Sequence, residues 1–160
     1  MRDNELKIEI LHKMKKIFYE KKTHNYDWMG NLLTEENKPS YHHIKKAEEQ
    51  RNNDEDDSPT IDNGAYLGKI SHEQLHRIED IDINLYNEWN KLFKEINDRK
   101  TYISEDMWEK IYILKEVTDK IDSKTLKLWY NLKEGESYEK ENISKYIKFS
   151  VSIHFNRLST

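Results

Sequence analysis

Five residues of this 160-residue chain have the types and spacings that metal or hydrolytic chemistry needs: His42, His43, Asn63, His72 and His76. His72 and His76 are four apart in "SHEQLHRIED", so on a helix they lie one above the other on one face. That spacing lets two imidazoles reach one divalent ion. His42 and His43 are adjacent in "SYHHI". On a strand they point to opposite faces and so occupy two environments. One of them can supply a third ligand and leave an open site, with water or phosphate in the remaining positions. Its neighbour then points to where a reacting water would sit. Asn63 falls in the turn Asp62-Asn63-Gly64 between these two elements.

The elements that must hold these residues are readable from periodicity. Leu6, Ile10, Met14, Ile17 and Phe18 form one apolar stripe and predict an N-terminal helix. "THNYDWMG" breaks it, and "NLLTEENKPSYHHI" reads as two short strands around a polar turn, with Pro39 opening the second. Residues 48–60 are acidic and without period, an expected exposed loop closed by Ser58-Pro59. A short strand through Leu67 follows the Asn63 turn, then a helix with Ser71 as its N-cap. A helix near 82–97 carries Leu85, Trp89, Leu92, Phe93 and Ile96 on one face. Another at about 105–121, capped by Ser104, turns Trp108, Ile111, Leu114 and Ile121 inward. "SKTLKLWYNLKEG" predicts a further helix stopped by Gly135. No internal repeat is present, and the four tryptophans sit at core spacing.

Composition narrows the chemistry. The absence of cysteine removes disulfides and thiolate metal sites, leaving His, Asp, Glu and Asn as donors. Hydrophobic residues make up 35% and charged residues 36%, which predicts a thin core under a heavily solvated surface, in a folded and mainly helical chain. No apolar run approaches a membrane span and "MRDNELKIEI" lacks the apolar centre of a signal peptide, so no membrane partner is expected and the cytosol is the expected location. The net charge of −4 hides an uneven distribution. Residues 1–22 hold seven basic and four acidic side chains, and Lys13, Lys15 and Lys16 are candidates for touching phosphates. "EEQRNNDEDD" (48–57) holds six acids against Arg51.

The segment 41–79 resembles the HNH endonuclease motif, two strands and a helix gripping one metal (ββα-metal). The residues that carry the likeness are "HH" at 42–43, "NG" at 63–64 and "HEQLH" at 72–76. The phrase "YHHI…IDNGAYLGKISHEQLHRIE" is also similar to HNH proteins of phages and mobile elements in low-GC bacteria. The resemblance implies an α+β, mainly helical chain with an HNH-like domain over 1–98, including the N-terminal helix, and a helical region over 99–160. It implies His42, His72 and His76 as ligands of one divalent ion, His43 as the general base and Asn63 as the residue that holds the loop so that His43 keeps its tautomer and aim. The ion would be Mg²⁺ in a catalytic site or Zn²⁺ in a structural one. The implied activity is metal-dependent hydrolysis of double-stranded DNA in a bacterial host cytosol. A neutral imidazole, with an ordinary pKa of roughly 6.5, suits the base.

Two features depart from that pattern. The acidic stretch between His43 and Asn63 puts six carboxylates beside a DNA-cleaving site, where they would repel phosphate unless the segment is a solvated surface loop pointing away from substrate, the favoured expectation. It suits an alternative: a non-catalytic phage inhibitor of anti-CRISPR type that uses a metal-stabilised HNH-like scaffold to block a CRISPR effector nuclease. The tail "SYEKENISKYIKFSVSIHFNRL" (137–158) resembles a helix-turn-helix, in which Ser152, His154, Asn156 and Arg157, with Val151, would face DNA. Against this, Lys148 stands at the usual glycine of the turn, and Arg157 is the sole basic residue of 150–160. A transcriptional regulator built on this tail is the third expectation.

Overall fold

A computed structural model of the chain describes residues 3–21 and 25–133, with side chains described up to 125. The helix-turn-helix expected at 137–158, with Val151, Ser152, His154, Asn156 and Arg157, and the Gly135 stop lie outside the described residues. The described chain is α+β and mainly helical, in the order α1 (Asp3–Phe18), β1 (Pro39–His43), α2 (Ala47–Asn52), β2 (Gly64–Gly68), α3 (Lys69–Ile81), α4 (Ile83–Arg99) and α5 (Glu105–Lys133). Among the described residues no helix is long and apolar enough to cross a membrane.

The α1 stripe is buried through Ile10, Leu11, Met14 and Phe18. It packs on an antiparallel pair, β1 with β2, in which His42 faces Ala65 and His43 faces Gly64. A side chain at Gly64 would bring its Cβ 2.6 Å from the Tyr41 ring, 3.1 Å from the Thr60 carbonyl and 3.2 Å from Met14 Sδ. Glycine lets α1 and the strand end close on each other there. The other side of the sheet meets α3 and α4, and Trp28, Leu67, Leu75, Trp89 and Phe93 are fully buried between them. α5 closes the far side. Trp89 Nε1 donates to Thr118 Oγ1 at 2.8 Å, and Arg77 makes a two-pronged contact with Asp122 at 3.1 and 2.9 Å.

Several expectations are corrected. The segment "NLL" is not a strand: Leu32 makes only an isolated bridge with Tyr26. The reason is Asp27, whose buried carboxylate accepts the amides of Met29 and Asn31, each at 3.0 Å, and coils the chain into a turn. The acidic segment is not all loop, since α2 occupies Ala47–Asn52. The α3 helix begins earlier than expected, with Gly68 as N-cap. Its free amides are satisfied from outside: Gly68 N–H by Asp27 Oδ2 at 2.8 Å and Ile70 N–H by Asn37 Oδ1 at 2.8 Å. Ser71 is instead a buried first-turn residue whose Oγ accepts Asn31 Nδ2 at 2.7 Å. The two helices expected over 105–135 are one, α5. Ser104 stands at its N-cap position as expected, its carbonyl accepting Trp108 N–H at 2.9 Å, while its hydroxyl is engaged by Asp106 and by Arg99 Nη1.

Candidate metal centre

Strand alternation sends Ser40 and His42 to the helix side of β1, and Tyr41 and His43 to the α1 side. His42 is 2% exposed and reaches two elements at once. Its Nδ1 lies 3.3 Å from His72 Nε2 on α3, and its Nε2 lies 2.7 Å from Asn90 Oδ1 on α4. Asn90 Oδ1 is an acceptor, so His42 carries its proton on Nε2 and presents a bare lone pair on Nδ1. His72 is held in turn by Ser40, whose Oγ lies 3.1 Å from Nδ1. Each ring therefore has its outward nitrogen tied to a neighbour and its inward nitrogen turned to the other ring, the arrangement that outer hydrogen bonds impose on metal-binding histidines.

The 3.3 Å separation is informative. Two nitrogens at a metal–nitrogen distance of about 2.0–2.1 Å and a tetrahedral angle are about 3.3–3.4 Å apart. His42 Nδ1 and His72 Nε2 thus already stand at that spacing. The His76 ring stacks beside His72 with centroids 4.7 Å apart and lies 6.3 Å from His42. Its Nδ1 is turned toward Glu79, 3.5 Å away, and the ring is half exposed. Among the described residues no group of three His, Asp or Glu side chains is set to hold a metal ion. Two donors fit the group and the third is present but turned aside.

Electrostatics keep these rings neutral. Burial pushes His42 down to about 3, with the charges of His72, His76 and His43 adding to it and the Asn90 bond opposing. Burial likewise takes His72 down to about 4, helped by His76, Lys7 and His43. Each ring is thereby kept neutral, with one N–H and one free lone pair.

His43 sits half-buried at the end of β1, with Tyr41 edge-on at 4.9 Å. Its Nε2 lies 3.3 Å from the Asp57 carbonyl. A carbonyl only accepts, so Nε2 carries the proton and Nδ1 has the free lone pair. Burial lowers its pKa as well, ahead of the charge of Lys7. Asn63 makes no hydrogen bond to His43 among the described residues. Its Oδ1 accepts Lys45 N–H at 2.8 Å and its Nδ2 donates to the Lys45 carbonyl at 2.9 Å, while its own carbonyl accepts Ile44 N–H at 2.9 Å. Asn63 clamps the two residues after His43 to the start of β2; the His43 tautomer is set by Asp57.

The acidic segment is folded against this site. Lys45 pairs with Glu55 at 2.5 Å and Arg51 with Asp57 at 2.7 Å. Lys46 pairs with Glu79 and stands 5.6 Å over the Tyr86 ring. Ser40, Asp57, Glu79 and Asn90 had not been expected as members of the site. Alternation from His42 pointed to Ser40. Asn90 carried a weaker signal, a polar residue inside the apolar face of Tyr86, Trp89 and Phe93. Lys13, Lys15 and Lys16 are exposed on α1, and Lys13 pairs with Glu9.

Comparison with protein-family models, with curated proteins and with solved structures finds no match for this chain.

Proposed function

We propose that the chain is a metal-dependent HNH-type endonuclease that hydrolyses phosphodiester bonds in double-stranded DNA. The observation that carries this reading is the His42–His72 pair, with facing nitrogens at 3.3 Å and outer nitrogens held by Asn90 and Ser40. The ordering of two strands and a helix, with a neutral imidazole on the opposite strand face, supports it. His42 and His72 would hold the ion, with His76 as third ligand. A nitrogen donor set suits Zn²⁺ or a similar imidazole-binding ion better than Mg²⁺, which prefers oxygen. When bound, the ion would supply Lewis-acid stabilisation of charge on the phosphate oxygens.

The chain's own part in the reaction follows from the tautomers. His43 Nδ1 takes a proton from a water as that water's oxygen bonds to phosphorus. The positive charge this creates is eased by the Nε2–H bond to the Asp57 carbonyl. The bond from phosphorus to the 3′ oxygen breaks, and that oxygen takes a proton from solvent. Asn63, by fixing residues 44–45, positions His43 without touching the reacting atoms.

The test is nicking of supercoiled plasmid by purified protein with added Mg²⁺, Mn²⁺, Ni²⁺ or Zn²⁺, beside His43→Ala. Metal-dependent nicking that His43→Ala abolishes is the expected result. Absence of nicking by the wild type with every ion, in a preparation that retains about one zinc per chain, refutes it. A second reading has its own observation: Glu79 turns His76 aside and the acidic segment packs over His43. This favours a non-catalytic inhibitor, metal-stabilised or not, that binds a CRISPR effector nuclease through its acidic surface. Its mark is survival of effector inhibition in His43→Ala.

A further inference from the structure

We propose that Lys7 is a phosphate-positioning residue of this site, holding the DNA backbone beside His43. The inference rests on the nuclease reading above. Met14 Sδ lies 3.2 Å from where a Cβ on Gly64 would sit, so that face of α1 covers the sheet end where His43 pairs with Gly64. Lys7 is seven residues earlier, two turns along the same face, next to buried Ile10 and Leu11 and itself half-buried. Its charge bears on both His43 and His72, the candidate base and a candidate ligand.

The neighbouring cations are already committed: Lys45 to Glu55, Arg51 to Asp57 and Lys46 to Glu79. Lys7 makes no ion pair among the described residues, and Asp3, one turn away, does not close one with it. A lysine ammonium is a point charge that binds phosphate without reading sequence. A cation on the α1 face that covers the His43 end of the sheet, and that closes no ion pair among the described residues, is placed to receive the group that is cleaved.

The test measures binding of a 24-base-pair duplex in the His43→Ala background, where the duplex stays intact, across a salt series. One phosphate contact contributes about 0.9 to the slope of log affinity against log salt. Adding Lys7→Gln is therefore expected to make the slope shallower by about 0.9 and to weaken binding about eightfold at 0.1 M salt, and Lys7→Arg to restore both. Plasmid nicking by the Lys7→Gln single variant should show the loss in KM more than in kcat. Unchanged affinity and slope in Lys7→Gln overturn the assignment while leaving the nuclease reading intact. Failure of both the wild type and His43→Ala to bind the duplex at 50 mM salt overturns the nuclease reading and this one with it.

Discussion

Acidification of the metal-free protein should destabilise it through His42, and the size of the effect follows from the site. His42 is 2% exposed between α3 and α4, and burial holds it at about 3 against an ordinary 6.5. Above pH 6.5 neither the folded nor the unfolded state binds this proton, and the contribution is fully present. Between 6.5 and about 3 the unfolded chain takes the proton and the folded chain does not, so stability falls by about 1.4 kcal/mol per pH unit. From pH 7.5 to 5.0 the loss from His42 alone is about 2 kcal/mol, a sizeable part of a typical 5–15 kcal/mol. His72, pushed down to about 4 by burial, acts in the same direction; Asp27, whose carboxyl burial raises, acts in the opposite one. A difference measurement isolates His42. Urea unfolding in EDTA, followed by tryptophan fluorescence at pH 7.5, 6.0 and 5.0, would compare the wild type with His42→Gln, which keeps a polar neighbour for Asn90. The wild type should lose about 2 kcal/mol more than the variant across that range. Parallel losses in the two proteins would refute the placement of a neutral, buried imidazole at position 42.

Zinc should raise the wild-type unfolding free energy by about 2.7 kcal/mol at a hundred times its dissociation constant, and His72→Ala should abolish the rise; an equal rise in both would move the metal elsewhere. Asn63→Ala removes two hydrogen bonds to Lys45 and should cost about 2 kcal/mol, read by the same urea titration. Asn63→Asp should do no better, because a carboxylate oxygen would then face the Lys45 carbonyl. Gly68→Ala should lower stability markedly, since its Cβ would overlap the Asn37 amide that caps α3; a melting point within a degree of wild type would show that Asn37 can move. Glu55→Gln with Asp57→Asn frees Lys45 and Arg51 and removes two negative charges, so duplex affinity at low salt should rise; a fall would mean those pairs hold the site in shape.

The sequence was most legible where an element's own residues dictate it. The α1 and α4 stripes have unbroken helical periods, and Asp82, whose carboxylate accepts the amides of Asn84 and Leu85, marks where α4 begins. It was least legible where the deciding partner is distant. "NLL" has strand-like residues, but Asp27 bends it; α3 starts at Gly68 because Asn37 and Asp27 reach its amides from 33 and 41 residues away. The one long helix α5 read as two because "VTDKIDSKT" interrupts the apolar period. Those polar residues are not a break: Thr118 receives the Trp89 indole and Asp122 receives Arg77. A helix that buries polar side chains against partners on other helices has no period to read.

The same distinction runs through the site. Residue types and spacing alone singled out His42, His43, Asn63, His72 and His76, and strand alternation separated the two adjacent histidines. What alternation cannot supply is which nitrogen of each ring is free, and that decides the chemistry. Residues with no motif signature set it for both strand histidines, Asn90 leaving Nδ1 of His42 bare and the Asp57 carbonyl leaving Nδ1 of His43 bare, while Ser40 holds the outer nitrogen of His72 in place. Each comes from a different element, so the tautomers depend on the whole packed unit. A substitution at Asn90, outside every recognisable motif, should therefore disturb zinc binding at His42 more than one at His76, the motif histidine whose ring already points away.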